Sequence, residues 1–340
     1  MPIIQPGRAD VHVNRPLTSI SIAYMLNTDD FVAGKTFPVV PVDKQSDLYY
    51  VVDAEREMLR DIMQERAPAT ESDGMTFKLS TNPYFARKYS LHHDIPDEVR
   101  DNADDPLDMD QMTTQALTQS ALIRREVLFN TSFFTAGNPG DTWTFDVDGV
   151  SSGASTAAAF DPTDNANNQK LQWNDAASTP IEDIRQGKRY VKARTGLRPN
   201  VLTLQETVYD TLLDHPDIVG RIDRGQTSGA AMANRVTLAQ LFEVDEVLVM
   251  GGVKNSAQKG ATASIGFIGG KNALLSYRPP APGRMVASAG YWFDWKNGRA
   301  RGIRKFRMEL KDADRLEYTD YMAPTKIGAD LGYFFGAIVA

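Results

Sequence analysis

The hexapeptide FPVVPV, Phe37 to Val42, sets the first limit on what this chain can fold into. Its two prolines lack backbone donors, so the segment can neither continue a helix nor occupy the middle of a sheet. It closes a proline-punctuated, extended stretch covering residues 1 to about 45, in which only Thr18 to Leu26 has the composition of a short helix. Such an arm buries little of its own apolar surface and must lie on something else.

Residues 47 to 95 read as two polar arms around a turn. DLYYVVDAEREMLRDIMQER leads out, with a helix-prone middle, and APATESDG, Ala67 to Gly74, is a turn by composition. MTFKLS returns with Met75, Phe77 and Leu79 on one face. Each arm would reach roughly 60 Å if fully extended. A lone two-stranded ribbon is marginal in water, so this one needs a partner surface.

The stretch YSLHHDIPDEVRDNADDPLDMDQ, Tyr89 to Gln111, sets two histidines ahead of a run of carboxylates. In a strand His92 and His93 point to opposite faces and cannot chelate one ion together. His12 and His215 lie far off in sequence, and Asp101, Asp104, Asp105, Asp108 and Asp110 lack the order of a calcium loop. A helix start accounts for the acids better. Asp105 suits the N-cap, Pro106 the first helical position, and Asp108 the first turn, where the helix dipole favours negative charge. The helix should run to about Phe134, with Met109, Met112, Ala116, Ile123 and Val127 as its core stripe and Leu117 and Leu128 beside it.

Other chemistry is poorly supported. Cysteine is absent, which removes disulfides, thiolate nucleophiles and Cys-ligated zinc together. GFIGGKN, Gly266 to Asn272, is one residue short of a phosphate loop, and Asn272 stands where Ser or Thr should bind magnesium. No dinucleotide fingerprint follows a strand and no nucleophile elbow occurs. Asn130-Thr131-Ser132 fits the glycosylation triplet but falls within the helix just described. No residue is therefore nominated as catalytic, cofactor-binding or metal-binding, and no cofactor is expected. The formal net charge is −7, and the one basic run, RARGIRKFR from Arg299 to Arg307, is answered downstream by Glu309, Asp312, Asp314 and Glu317. Tight, direct DNA binding is not indicated. No apolar run approaches the roughly 20 residues that span a bilayer, and MPIIQPGRADVHVNRP has no apolar core of the signal-peptide kind.

Residues 136 to 178 are rich in Gly, Ser, Ala and Asn around the short strand WTFDV. Thr179-Pro180-Ile181-Glu182 has the form of a capping box, opening a helix that runs to Gly196. NVLTL, EVLVM and SIGFI (Asn200 to Leu204, Glu246 to Met250, Ser264 to Ile268) read as short buried strands, with helices near Gln205 to Leu213 and Leu238 to Phe242. This is an α/β core. GIRKFRMEL and RLEYTDYM alternate around the turn Lys311 to Asp314 and form a hairpin, and YFFGAIVA closes the chain as a buried strand.

The order of these parts resembles the major capsid proteins of tailed bacteriophages, which share the Hong Kong 97-type shell fold with encapsulins. NRPLTSISIAYML with FPVVPV, YSLHHDIPDEVRDNADDPLD leading into ALIRREVLF, LQWNDAASTPIEDI through RPNVLTL, and KIGADLGYFF carry the likeness, from about Asn14 to Val339. The resemblance implies an α+β fold with an N-terminal arm (residues 1–46) and an extended β-hairpin loop laid over a neighbouring subunit (47–98). A peripheral domain with a spine helix would follow (99–178), then an α/β axial domain (179–277), a connecting loop (278–298) and a return to the peripheral domain (299–340).

Function then means self-assembly as hexamers and pentamers into an icosahedral head shell enclosing the genome. Implied partners are other copies of the chain, a separate scaffolding protein, a portal, a decoration protein and packaged double-stranded DNA, with no membrane. The place is the virion capsid, assembled in the host bacterial cytoplasm. No charged helical extension precedes the arm, which favours a separate scaffold over a fused one. No lysine–asparagine pair is marked for the covalent cross-linking of some relatives, and Lys78 reads as a solvated edge residue. An encapsulin-like cargo compartment is the alternative shell. An α/β enzyme built on residues 180 to 277 rests on fold analogy alone.

Overall fold

The computed structural model describes residues 26–52, 59–61, 63, 65–66, 68–72, 74–76, 79–103, 108–135, 143–151, 169–225, 233–283, 286–297 and 302–340. Thr18 to Met25, most of the helix-prone middle of the ribbon, Phe77, Lys78 and the expected cap at Asp105 and Pro106 lie outside these residues.

A short helix α1 (Ala33–Thr36) leads into β1 (Val39–Val42). Pro41 cannot donate to a ladder, and β1 accordingly lies at the edge of a sheet of order β1-β12-β14-β13. In that sheet β12 (Gly290–Trp295) runs parallel to β1, from Val39 opposite Trp292 to Val42 opposite Trp295. The hairpin of β13 (Gly302–Met308) and β14 (Ala313–Lys326) forms as its alternation predicts. Residues 278–298, expected to be a connecting loop, contain β12, which lies between β1 and β14 with five consecutive buried residues, Gly290 to Asp294. The glycines and prolines flanking GYWFDW masked an aromatic strand.

The ribbon forms from β2 (Ser46–Val52) and β3 (Leu79–Phe85), paired antiparallel from Ser46 opposite Phe85 to Val52 opposite Leu79. The return arm does not stay free. After the buried Ala86 it continues as β4 (Arg87–Pro96), which pairs with β14 over ten residues. A one-turn helix α2 (Asp97–Asp101) follows.

The long helix α3 spans Met109–Phe133. Asp108, expected inside the first turn, is instead its N-cap. Its backbone is extended, and its Oδ1 accepts the N–H groups of Asp110 and Gln111, each at 3.0 Å. A short carboxylate at that position satisfies two of the orphan donors of a helix start. The expected core stripe is also corrected. Met109, Leu117, Ile123, Val127 and Leu128 pack on the core as expected, but Met112 and Ala116 are exposed, Thr113 is buried in their place, and the fully buried line continues through Glu126, Phe129 and Phe133. Choosing apolar residues in sequence favoured Met112 over Thr113.

A second sheet has the order β6-β5-β15-β11-β7-β8. Its strands are β5 (Phe145–Val150), β6 (Gln169–Leu171), β7 (Val201–Gln205), β8 (Glu246–Met250), β11 (Ala273–Ser276) and β15 (Gly332–Gly336). Successive residues point to opposite faces. Leu202, Leu204, Val247, Leu275, Tyr333 and Phe335 join the core under α4 (Pro180–Thr195), α5 (Glu206–Leu213), α6 (Pro216–Gly225) and α7 (Arg235–Phe242). Val201, Leu248, Met250, Leu274 and Phe334 face the arm and the end of α3. The expected boundaries at 178 and 299 therefore cut through one sheet, because strands from residues 145–171 and 332–336 hydrogen-bond into it.

Two local expectations fail. Thr179 makes no side-chain cap, and Glu182 is exposed. Asp183 is the buried acid of that turn, held by Lys170 at 2.9 Å and the indole N–H of Trp173 at 3.2 Å. Pro180 does open the helix, and Gly196 ends it at φ +77°, a conformation glycine adopts without cost. SIGFI is buried only at its last residue, Ile268. Among the described residues its β10 (Ile265–Phe267) pairs only with β9 (Val253–Asn255), and both Ile265 and Phe267 are exposed.

Candidate assembly surfaces

The two faces of the β2–β3 ribbon differ. On one, Tyr49 and Tyr84 pack against Phe293 of β12, with ring centroids 5.7 and 4.7 Å away, and so seat the ribbon base on its own sheet. The other face presents Leu48 opposite Pro83, Tyr50 opposite Thr81, and Phe85 opposite Ser46, with Leu79 at the end. Leu48 and Phe85 are each 56% exposed and Tyr50 71%. Near the tip Leu59, Met63 and Met75 are exposed as well. Among the described residues, nothing covers this strip of apolar and aromatic side chains. Contiguous apolar surface of this kind marks an interaction site.

The arm is fastened by a residue the sequence did not single out. Glu126 is 0% exposed, and its two carboxylate oxygens accept the consecutive N–H groups of Val32 and Ala33 at 3.1 and 3.0 Å. These are donors at the start of α1 that no helical bond satisfies. The cations beside it are engaged elsewhere: Arg125 lies 3.6 Å from Asp294 and over the Trp292 ring, and Lys35 bonds Asp29. Burial dominates, and it pushes the Glu126 carboxyl up to about 7 against the two amides. Phe37 then inserts between Phe129, Phe133 and Trp143, all fully buried. A Glu in LIRREVLF shows no signal of this role, since its partners are backbone amides 93 and 94 residues away.

The acidic run after the histidines is an ion-pair anchor. Arg100 bonds Asp314 at 2.7 Å and Asp110 at 3.0 Å, Lys305 bonds Asp110 at 2.9 Å, and Arg307 bonds both oxygens of Asp97 at 2.7 and 2.6 Å. Arg315 takes Asp94 in a bidentate pair. The neighbouring cations hold Asp94 and Asp314 down to about 2. So the basic run on β13 is answered chiefly by Asp97 and Asp110, not by Glu309 and Glu317 as its sequence neighbourhood suggested; only Asp314, and Asp312 at 4.0 Å, belong to both sets. The network ties α2 and the start of α3 to the β13–β14 hairpin.

The groups with apparent catalytic chemistry have structural duties. His92 and His93 stand in β4 opposite Glu317 and Leu316. Among the described residues, no three His, Asp or Glu side chains converge to hold a metal ion. His215 and Ser178 lie 3.0 Å apart and buried, which resembles a nucleophile and its base. The Nδ1 of His215 accepts the N–H of Asp217, so the neutral ring carries its proton on Nε2 and donates it towards Ser178 and the Asp175 carbonyl. A base in that tautomer cannot take the serine proton, and the pair serves to cap α6. GFIGGKN is likewise a brace: Lys271 reaches the Ala340 carbonyl, and Asn272 bonds Phe134 and Ala337.

No protein-family model matches the chain. It is 23% identical over 340 residues to the major capsid protein of Burkholderia phage BcepMu, with 96% of each chain covered. It is similar in structure to a phage-related protein of Bordetella bronchiseptica RB50, at a TM-score of 0.66 and 19% identity over 92% of this chain and 93% of that one. It is also similar to the capsid of cyanophage P-SCSP1u, at a TM-score of 0.56 and 11% identity over 99% of each. The fold is the Hong Kong 97-type, an α+β arrangement of arm, ribbon, long helix and two sheets.

Proposed function

We infer that this chain is a major capsid protein of a tailed bacteriophage, a structural subunit that assembles as hexamers and pentamers into the icosahedral head shell. The uncovered face of the ribbon carries the reading. Leu48, Tyr50, Leu79 and Phe85 are each more than half exposed on a two-stranded element that is marginal alone. A neighbouring copy laid against that face removes the apolar strip from water and offsets the ordering of the ribbon.

In this reading residues 26–46 are the described part of the arm, and α3 with the β13–β14 hairpin forms the peripheral spine. The α4–α7 layer on the second sheet forms the axial domain that meets its copies around five- and six-fold axes. A separate scaffolding protein, a portal and a decoration protein complete the head, and the shell encloses double-stranded DNA. Assembly takes place in the host bacterial cytoplasm. The capping role of His215 and the bracing bonds of Lys271 and Asn272 support a structural rather than a catalytic part.

The test is electron microscopy and sedimentation of the purified protein beside a Leu48→Asp, Tyr50→Asp double variant. Wild type should form closed shells. The variant should keep its circular dichroism, because neither side chain touches the core, yet sediment as capsomers or monomers. Shells of the variant in unchanged yield and thermal stability would overturn the ribbon's role, and a wild type that forms no particles would overturn the capsid reading.

A further inference from the structure

The exposed face of α4 carries cations that no described carboxylate answers. Arg185, Arg189 and Lys192 fall on one side of the helix at spacings of four and three residues, and Arg198 follows just beyond its end; all four are exposed. The acids around α4 are committed to other cations. Asp183 holds Lys170, Glu243 holds Lys188, and Asp330 holds Arg194. Lys188 itself is buried and spends its remaining donors on the carbonyls of Phe242 and Glu243 at the end of α7. Among the described residues, no carboxylate lies within 4.0 Å of Arg185, Arg189, Lys192 or Arg198; Glu182, in the first turn, is the one exposed acid of the helix. Arg189 has the ring of Tyr190 beside it, at 5.8 Å. This row stands out on a chain whose formal net charge is −7.

Two features select the partner. The row runs about 10 Å along the helix, a length over which a duplex presents about six phosphates. Arginine predominates, and its planar fork matches phosphate oxygens two at a time. A protein partner would need an apolar anchor at the centre of the interface, and α4 exposes no large apolar side chain. Phosphate binding needs none.

We propose that this open face of α4 binds the sugar–phosphate backbone of double-stranded nucleic acid without reading its sequence. The proposal rests on the capsid reading for its biological occupant, the enclosed genome. It gives the generally acidic subunit a defined point of attachment to that genome, weak enough singly to let the duplex slide. Its strength comes from repetition over every equivalent subunit.

The test uses unassembled full-length subunits and a labelled 30-base-pair duplex of arbitrary sequence, with binding read by fluorescence anisotropy from about 20 to 150 mM salt. The triple variant Arg185→Gln, Arg189→Gln, Lys192→Gln should bind at least about tenfold more weakly at low salt. Its plot of log affinity against log salt should be shallower by about 2 to 3, near 0.9 for each phosphate left without its cation. A Lys44→Gln control, which removes an exposed cation in the bend between β1 and β2, should leave both quantities unchanged. Equal affinity and slope in wild type and triple variant would overturn the proposal. So would displacement of the duplex by polyglutamate at equal charge concentration, which would make an acidic protein segment the better occupant. Particle formation is scored separately by electron microscopy. Shells without α4-dependent binding sink this proposal alone, and α4-dependent binding without shells sinks the capsid reading alone.

Discussion

Strand β13 and helix α4 carry comparable runs of cations, and the fold disposes of them in opposite ways. On β13, Lys305 and Arg307 meet Asp97, Asp110 and Asp314 from three other elements. On α4, the nearby acids are taken by Lys170, Lys188 and Arg194, and the outward row stays open. Of the first cluster, which was conspicuous in sequence, Lys305 and Arg307 are internally spent. The second was inconspicuous and remains available. Charge density along a chain therefore does not measure charge offered to a partner.

The hardest strain on this division between spent and open charge is Glu126, buried with backbone amides for company. Burial raises its carboxyl to about 7, above its ordinary 4.5. A raised acid favours folding most when protonated, so this contribution is fully present below about pH 4.5 and is lost as pH rises through 7. Thermal unfolding from pH 5 to 8 should register a loss of up to about 3 kcal/mol. Glu126→Gln should flatten most of that slope, the residue being left by Glu206, which burial raises in the same direction. A wild-type melting temperature that stays level across this range would remove Glu126 as a titrating fastener of the arm.

Next in size is Arg100, which joins Asp314 to Asp110 at about one-third exposure. Arg100→Ala should cost about 2 kcal/mol in denaturant unfolding, between an exposed pair and a fully buried one. A loss under about 0.5 kcal/mol would mean that the β13 network is as idle as an ordinary surface cluster.

Acid titration sharpens the same contrast. The cations around Asp94 and Asp314 hold them near 2, below the ordinary 3.8, so their contribution is present above 3.8 and lost as pH falls through 2. Stability should therefore decline again below about pH 4, and Asp94→Asn should reduce that second decline. The smallest effect belongs to α4. Arg189→Ala should change stability by no more than about 0.5 kcal/mol, since the side chain has no carboxylate partner to lose among the described residues. A larger loss would show that the face is spent after all.

Much of the architecture was legible because it depends on local rules. FPVVPV named an edge strand through its missing donors, and β1 is one. The alternation of GIRKFRMEL and RLEYTDYM gave the hairpin, and Pro180 with Gly196 bracketed α4. What escaped depends on distant partners. GYWFDW became a strand inside the first sheet because β1 and β14 flank it, and most of SIGFI stayed exposed because, among the described residues, β9 alone pairs with it. Thr113 displaced Met112 from the buried line of α3 because the helix turns that side to the sheet.

The sequence by itself determined the kinds of element and their order, since donors, caps and alternation act within a few residues of one another. It also determined that arm and ribbon could not satisfy themselves. Only the tertiary structure decided which charges are spent and which stay open. The attraction between two charges depends on their separation in space and the solvent between them, and Arg307 meets Asp97 across 210 residues of chain. The same holds for Glu126, whose carboxylate acquires its role only when α1 folds over it and shuts out water.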